Sequence, residues 1–274
     1  MKKIHSFPCM LLLAVSGLFI LGCEQSPNPL QSSFSIQNEP GNPTQSVDGL
    51  ALPKSGLPNS EYIKVFRTSG TMTIDGNESD WGNVPKHKMS NYFFVDDPIV
   101  PLDNKFDLSA YFKMLWDDDN LYVFVNILDD NINVTAVAPW DKDSFELFMD
   151  ADNSKDAPED YDGVWPGTYD GDDDQLRFVW QASPFSARGH YDVSQFDYAY
   201  LQTSNGWDVE IKMPFSAIQM ASPGDGHVFG VEFHVNDNDY GVRHNFVKWW
   251  SESDYTYLYP SLFGTAYLFN GVAE

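Results

Sequence analysis

The chain has 274 residues, 42% of them hydrophobic and 15% aromatic, enough to bury a substantial core. Its formal charge is −24, carried by 30 aspartates and 10 glutamates against 16 lysines and arginines, a balance that repels phosphate backbones and argues against a nucleic-acid partner. Aspartate favours turns and caps over regular structure, so much of this acid belongs in loops, either as solvated surface or as oxygen donors for calcium.

The N-terminus reads as a targeting segment. Lys2 and Lys3 precede an apolar run from Met10 to Leu21, which closes on Ile20-Leu21-Gly22-Cys23. A basic start, an apolar stretch too short to span a bilayer and a small residue before a cysteine describe a signal peptide over residues 1–22. The ending resembles a bacterial lipobox, with Cys23 as the lipidated N-terminus of the mature chain. The alternative is an ordinary signal peptide with an incidental cysteine. Cys9, the only other cysteine, leaves with the signal, so no disulfide is expected. Residues 23–58 are rich in Pro, Ser, Asn, Gln and Gly and show no apolar period. They read as a flexible tether, spanning roughly 30–35 Å as a random coil. This organisation places the protein in a bacterial cell envelope, membrane-anchored at the outer membrane or cell surface, with a folded module over 59–274.

Within that module the pattern is β. YIKVFRT (62–68) alternates as a strand. TMTIDGNESDWGNV (71–84) reads as a short strand, a turn at Asp75-Gly76 and a helical turn capped by a serine or aspartate. AYFKMLW (110–116) and LYVFVNILD (121–129) flank DDDN as a hairpin with a four-residue loop. SFELFMD (144–150) is the next strand, and QLRFVWQA (175–182) follows a long acidic loop. FDYAYLQT and WDVEIKMPF enclose Ser204-Asn205-Gly206, a hairpin with Asn-Gly turn chemistry. PFSAIQM makes one or two helical turns, and HVFGVEFHVND (227–237), HNFVKWW (244–250) and GTAYLFN (264–270) complete the set. No long helical period occurs. The fold class is all-β, an antiparallel β-sandwich of jelly-roll-like kind with short helical turns.

One strand is unusual. In SFELFMD, Phe145, Leu147 and Met149 alternate as a core face should, while Ser144, Glu146 and Phe148 share the other. In QLRFVWQA the same rule turns Leu176, Phe178 and Trp180 inward and puts Arg177 on a face with Gln175, Val179 and Gln181. A carboxylate and a guanidinium on neighbouring strand faces, with Trp140 at the rim, suit a polar ligand site. Sugars use such a mixture: indole faces meet C–H faces, and charged groups take the hydroxyls. The competing reading is a surface cross-strand ion pair between Glu146 and Arg177, with Trp140 folded over the core.

These segments resemble carbohydrate-binding module family 9. APWDKDSFELFMDADNS, GDDDQLRFVW, GVEFHVNDND…GVRHNFVKWWSES and YPSLFGTAYL match in order, with TIDGNESDW and FKMLWDDDNLYVFVNILD before them, over roughly residues 60–272. The resemblance implies a β-sandwich that binds sugars as an appendage of xylan-degrading enzymes, holding a glycan end between two tryptophans. Trp140, six residues before Glu146, matches the first tryptophan and its glutamate. Arg177 matches the sugar-contacting arginine. Trp250 fits the second tryptophan best, with Trp249 as the fallback; alternation turns only one of them to a given face. The loop between Glu146 and Arg177 is longer than the family leads one to expect, and Tyr161, Trp165 and Tyr169 in it would widen or cover the site.

The implied function is a lipid-anchored, non-catalytic protein that binds a plant-type polysaccharide or oligosaccharide in carbohydrate catabolism. Its partners are a glycan, the membrane through Cys23, and a separate glycoside hydrolase or transporter. Calcium is the one cofactor implied, with DADNSKD (150–156) and DGDDD (170–174) as oxygen sources and no organic cofactor. Rival readings are a glycosidase using paired carboxylates, a haem module ligated by His234 and Met149, and a structural or protein-interaction sandwich without a sugar site. No Gly-x-Ser-x-Gly elbow supports a serine hydrolase.

Overall fold

The computed structural model describes residues 62–95, 101–102, 104, 106–155, 169–221 and 223–273. The signal segment, Cys23, the tether, Tyr161 and Trp165 lie outside the described residues. Thirteen strands form: β1 Tyr62–Arg67, β2 His87–Lys88, β3 Asn91–Phe94, β4 Ser109–Trp116, β5 Asn120–Leu128, β6 Ser144–Asp150, β7 Asp173–Val179, β8 Phe185–Ser186, β9 Asp197–Thr203, β10 Gly206–Pro214, β11 Val228–Asp237, β12 Asn245–Lys248 and β13 Gly264–Val272.

They follow one hydrogen-bonded path, β8-β7-β6-β11-β13-β1-β4-β5-β10-β9, with β12 beside β11, β3 beside β12 and β2 beside β4. The path folds over at β11. Val228–Val231 pair with β13, while His234–Asp237 pair with β12, and the other edge pairs with β6. One long strand therefore belongs to both layers of the sandwich. The core lies between them, where Phe112 of β4 stacks on Phe233 of β11 at 3.6 Å and Phe145 of β6 joins at 5.8 Å.

The sandwich is not purely antiparallel, because β1 pairs in parallel with both β13 and β4. Alternation and turn chemistry identify neighbours joined by a hairpin. β1 has no hairpin partner, so local pattern leaves its direction open while it buries Ile63 and Val65. Local differences have local causes. Asn77, rather than a serine or aspartate, caps the 3₁₀ turn Glu78–Trp81 by accepting from the Ser79 N–H. Asn120 joins β5, so the first hairpin loop is Asp117–Asp119, with the Asp117 carboxylate accepting from Asp119 and Asn120.

Strands β6 and β7 are buried along their whole length. The inner face holds Phe145, Leu147, Met149, Leu176 and Phe178, as alternation predicts. The outer face is covered too: Phe148 lies against Phe263 at 5.8 Å and His234 at 4.4 Å. A half-buried strand pattern gives way here because the segment after β12 folds back over the sheet.

Candidate functional site

The outer face of β6 forms a floor of paired polar groups. Strand register sets Arg177, Glu146, His234, Lys248 and Asn91 in one row across β7, β6, β11, β12 and β3. Glu146 and Arg177 do pair, at 2.7 Å, but they are nearly inaccessible rather than on the surface, with side-chain exposures of 3% and 6%. Burial of two charges costs free energy unless every polar atom is satisfied. Here the Glu146 carboxylate also accepts from Gln175 Nε2 at 2.6 Å and Asn236 Nδ2 at 2.6 Å, while Arg177 Nε donates to it at 2.9 Å. The result is a rigid hydrogen-bonding array.

Trp140 stands beside this array. It sits in a 3₁₀ turn, Pro139–Asp141, is 51% exposed, and its ring centre is 6.0 Å from the Arg177 guanidinium carbon. The turn is tied to the loop after β11 by the Asn238 side chain, which donates to the Asp141 carbonyl. Below it, buried Asp143 accepts from the backbone of Asn238 at 2.7 Å and from that of Asn133.

On the far side of the row, strand β12 ends and the two adjacent tryptophans part. Trp249 turns to the core, edge-on to Phe112 at 5.5 Å and Phe233 at 6.2 Å. Trp250 is 40% exposed. A buried carboxylate makes this turn. Glu232 accepts from the backbone N–H groups of Phe233, Trp249, Trp250 and Ser251 at 2.8, 3.1, 3.0 and 2.6 Å. Asn91 supports it by donating to the Trp250 carbonyl at 2.8 Å. Lys248 anchors the following segment through the Ser253 carbonyl and Thr256 Oγ1. Burial lowers the Lys248 ammonium to about 8, opposed by the Glu232 charge. Burial first, then the charges of Lys248, Arg243 and Arg177, holds His234 well below its ordinary value, so it is a neutral ring at neutral pH.

Glu232, His234 and Asn236 were legible as the polar alternates of HVFGVEFHVND, but nothing in that segment says which strand lies beside it. His234 and Met149 cannot share a ligand. His234 faces the polar row, whereas Met149 is opposite Val231 on the core face. Tyr169, from the loop after β6, donates to the Thr256 carbonyl at 2.9 Å and packs near Phe263.

Acidic groups meet at two further places of interest. Asp150, Asp152 and Asp172 bring the two acidic runs together, with ligand atoms within 4.8 Å of one another. Asp129, Asp143 and Asp237, far apart in the chain, do the same and are all buried. Burial pushes the carboxyls of Asp129, Asp143 and Asp237 up, reinforced by neighbouring carboxylates. Beside Asp237, the Asn245 amide donates to Oδ2 at 3.1 Å while its own Oδ1 is buried without a partner. A cluster of oxygen donors with an unused amide oxygen fits a hard cation such as calcium.

Comparison with known proteins places these features in a family. Residues 74–271 match the family model described as carbohydrate family 9 binding domain-like. An endo-1,4-beta-xylanase A of Thermoanaerobacterium saccharolyticum is 29% identical over 73% of this chain and 15% of its own length. Exoglucanase XynX of Acetivibrio thermocellus is 30% identical over 73% of this chain and 16% of its own length. The chain thus corresponds to a small part of each of these enzymes. Among solved structures, a carbohydrate binding module family 9 from Caldicellulosiruptor kristjanssonii in complex with cellotriose superposes with TM-score 0.62 at 25% identity, covering 76% of this chain and 94% of that one.

Proposed function

The chain belongs to the carbohydrate family 9 binding domain-like family, and from that premise we propose that it binds a plant-type glycan at the face bounded by Trp140 and Trp250, making and breaking no bond. The observation that carries this reading is the pair of exposed indoles, Trp140 beside the Arg177 guanidinium and Trp250 just after the end of β12, on a sheet whose floor is fixed by the buried Glu146 carboxylate with Arg177, Gln175 and Asn236. Sugar C–H faces stack on indole, and the buried Glu146–Arg177 array holds the floor beneath the rings rigid, so that the site need not reorganise on binding. The cellotriose bound by the Caldicellulosiruptor module supports a β-linked glucan or xylan chain, or its end, as the ligand class. Trp249, turned to the core, supports the fold beneath rather than touching sugar.

In this reading Cys23 carries the lipid, residues 23–58 tether the module to a bacterial envelope membrane, and the module presents its glycan to a separate hydrolase or transporter. Single sites of micromolar affinity, about −8 kcal/mol, gain avidity by clustering on the membrane. Calcium belongs to the same proposal. Asp129, Asp143 and Asp237, with the Asn245 amide oxygen, would hold it. Its charge would offset three buried carboxylates and stiffen the loops around Trp140. Asp150, Asp152 and Asp172 offer a second set.

Titration calorimetry with cello- and xylo-oligosaccharides, and with their alditol-ended forms, tests the proposal. Binding that Trp140→Ala or Trp250→Ala abolishes supports it. Loss of binding on reducing the terminal sugar identifies end recognition. Failure of the folded protein, with calcium present, to bind any of these sugars overturns the reading.

A further inference from the structure

The chain has only four arginines, at 67, 177, 188 and 243. Arg67 lies on β1 and pairs with Asp118 at 2.6 Å. Of the other three, Arg177 stands in the polar row, Arg243 bonds Asn236 beside it, and Arg188 bonds the segment that covers it. Arg177 is neutralised by Glu146. Arg188 donates to the Tyr257 carbonyl and lies over the Tyr169 ring at 4.2 Å. Arg243 donates to Asn236 Oδ1 at 3.0 Å and lies over Phe246 at 4.5 Å. Among the described residues, neither Arg188 nor Arg243 has a carboxylate within the 4.0 Å of an ion pair.

Both guanidiniums border one turn, Asp254–Tyr257. Arg188 holds the Tyr257 carbonyl, and the charge of Arg243 acts on Asp254 and Tyr257. Each guanidinium carbon lies over an aromatic ring, and the Phe246 ring is itself stacked on Phe93 at 4.8 Å and 5°. Arg243 is also joined to the floor, because Asn236 shares its amide with Glu146. A guanidinium seated over a ring and held by a hydrogen bond has fewer directions open to its N–H fork, which suits recognition of a carboxylate. The −24 charge of the chain does not forbid an acidic ligand here, since fields from distant exposed charges are screened beyond about 8 Å at physiological salt.

We propose that Arg188 and Arg243 make this site selective for a glycan bearing a carboxylate, of the uronic-acid class. The inference rests on the sugar-binding reading of the site. The tryptophans hold the neutral part of the chain, and the two arginines read an acidic substituent or neighbouring acidic residue.

The test is calorimetry on the full chain with a matched pair of ligands: a xylo-oligosaccharide carrying a glucuronosyl branch, and the same molecule with its carboxyl reduced to the alcohol. The acidic form should bind about tenfold more tightly at low salt, the scale of one charge-assisted fork. That ratio should shrink on raising the salt. Arg243→Gln and Arg188→Gln should each lower the ratio, the double variant should bring it to about one, and Arg243→Lys should restore part of it. Equal affinities in the unaltered protein, or a ratio that survives both substitutions, overturn the inference. If the reduced form binds through Trp140 and the carboxylate adds nothing, this inference alone falls. If neither form binds, the sugar-binding reading falls with it.

Discussion

The buried Glu232 carboxylate accepts the Trp250 N–H at 3.0 Å, and the same two oxygens collect the N–H groups on either side of it. An exposed aromatic is thus aimed by a carboxylate that no ligand touches. Glu232→Gln keeps the shape but replaces one acceptor with a donor facing N–H groups. The variant should lose on the order of 3 kcal/mol in urea denaturation, from two or three orphaned buried donors at about 1–3 kcal/mol each. It should also weaken glycan binding about tenfold. In a Trp250→Ala background the stability loss should persist while the affinity loss disappears. Unchanged affinity in Glu232→Gln would mean that Trp250 is held by other contacts.

The two adjacent tryptophans should separate binding from stability. Trp249→Ala opens a cavity beside Phe112 and Phe233 and should cost about 3–5 kcal/mol of stability. Trp250→Ala and Trp140→Ala remove exposed rings. Each should leave the melting temperature nearly unchanged and lower affinity by about 2 kcal/mol or more, as central interface aromatics do. The opposite assignment of the two phenotypes would reverse the roles given to Trp249 and Trp250.

The Glu146–Arg177 pair should behave as a buried unit. Arg177→Met leaves the carboxylate with Gln175 and Asn236 alone, and should destabilise the fold by about 3–5 kcal/mol. Removing both charges, as Glu146→Gln with Arg177→Met, should recover much of that stability without restoring sugar affinity. A double-mutant cycle by chemical denaturation and calorimetry measures both. Additive stability losses would show that the pair is not coupled.

Asp208 gives a pH dependence away from the sugar face. Burial raises its carboxyl from 3.8 to about 6, against the opposing hydrogen bond from Asn126 Nδ2. The folded chain keeps this proton to about pH 6, while the unfolded chain releases it near 3.8. Between those values the folded state binds more protons, so this group's contribution to stability falls as pH rises and stays lower above the window. Asp208→Asn keeps the acceptor for Asn126 and removes the charge. Its melting temperature should match the unaltered protein below pH 3.8 and exceed it increasingly up to about pH 6. A constant offset at all pH values would contradict this.

Calcium should stabilise the protein. The unsubstituted chain should melt at higher temperature with calcium than with a chelator, with magnesium less effective because it demands a tighter octahedral shell. Asp237→Asn and Asp143→Asn should reduce the response, and Asp152→Asn should report on the second cluster. Identical melting curves with calcium and with chelator would leave both clusters without a cation.

Much of the architecture was written locally. The inner face of β6 and β7 follows from the two-residue period of an extended backbone, which needs no knowledge of neighbours. Trp140 precedes Glu146 by six residues, so its place at the end of that strand is legible along the chain, whereas the 3₁₀ turn that carries it was not. The same period said that Trp249 and Trp250 must diverge, and left open which one turned inward.

What joined Arg177, Glu146, His234, Lys248 and Asn91 was register across five strands separated by up to 157 residues of chain from Asn91 to Lys248. Local pattern is blind to such pairings, because the strand that lies alongside is chosen by long-range burial of the core. The sequence by itself determined the longer strands, the β-sandwich class and a glutamate, an arginine and tryptophans suited to a sugar; it placed a strand at 71–74 where none forms and missed the short strands β2, β3 and β8, which form by pairing with β4, β12 and β7. Tertiary structure alone decided that the Glu146–Arg177 pair is covered, that Glu232 turns Trp250 outward, that β1 runs parallel to its neighbours, and that Asp129, Asp143 and Asp237 meet. Each of those outcomes depends on what packs over a face, and a residue's own neighbours in the chain do not supply it.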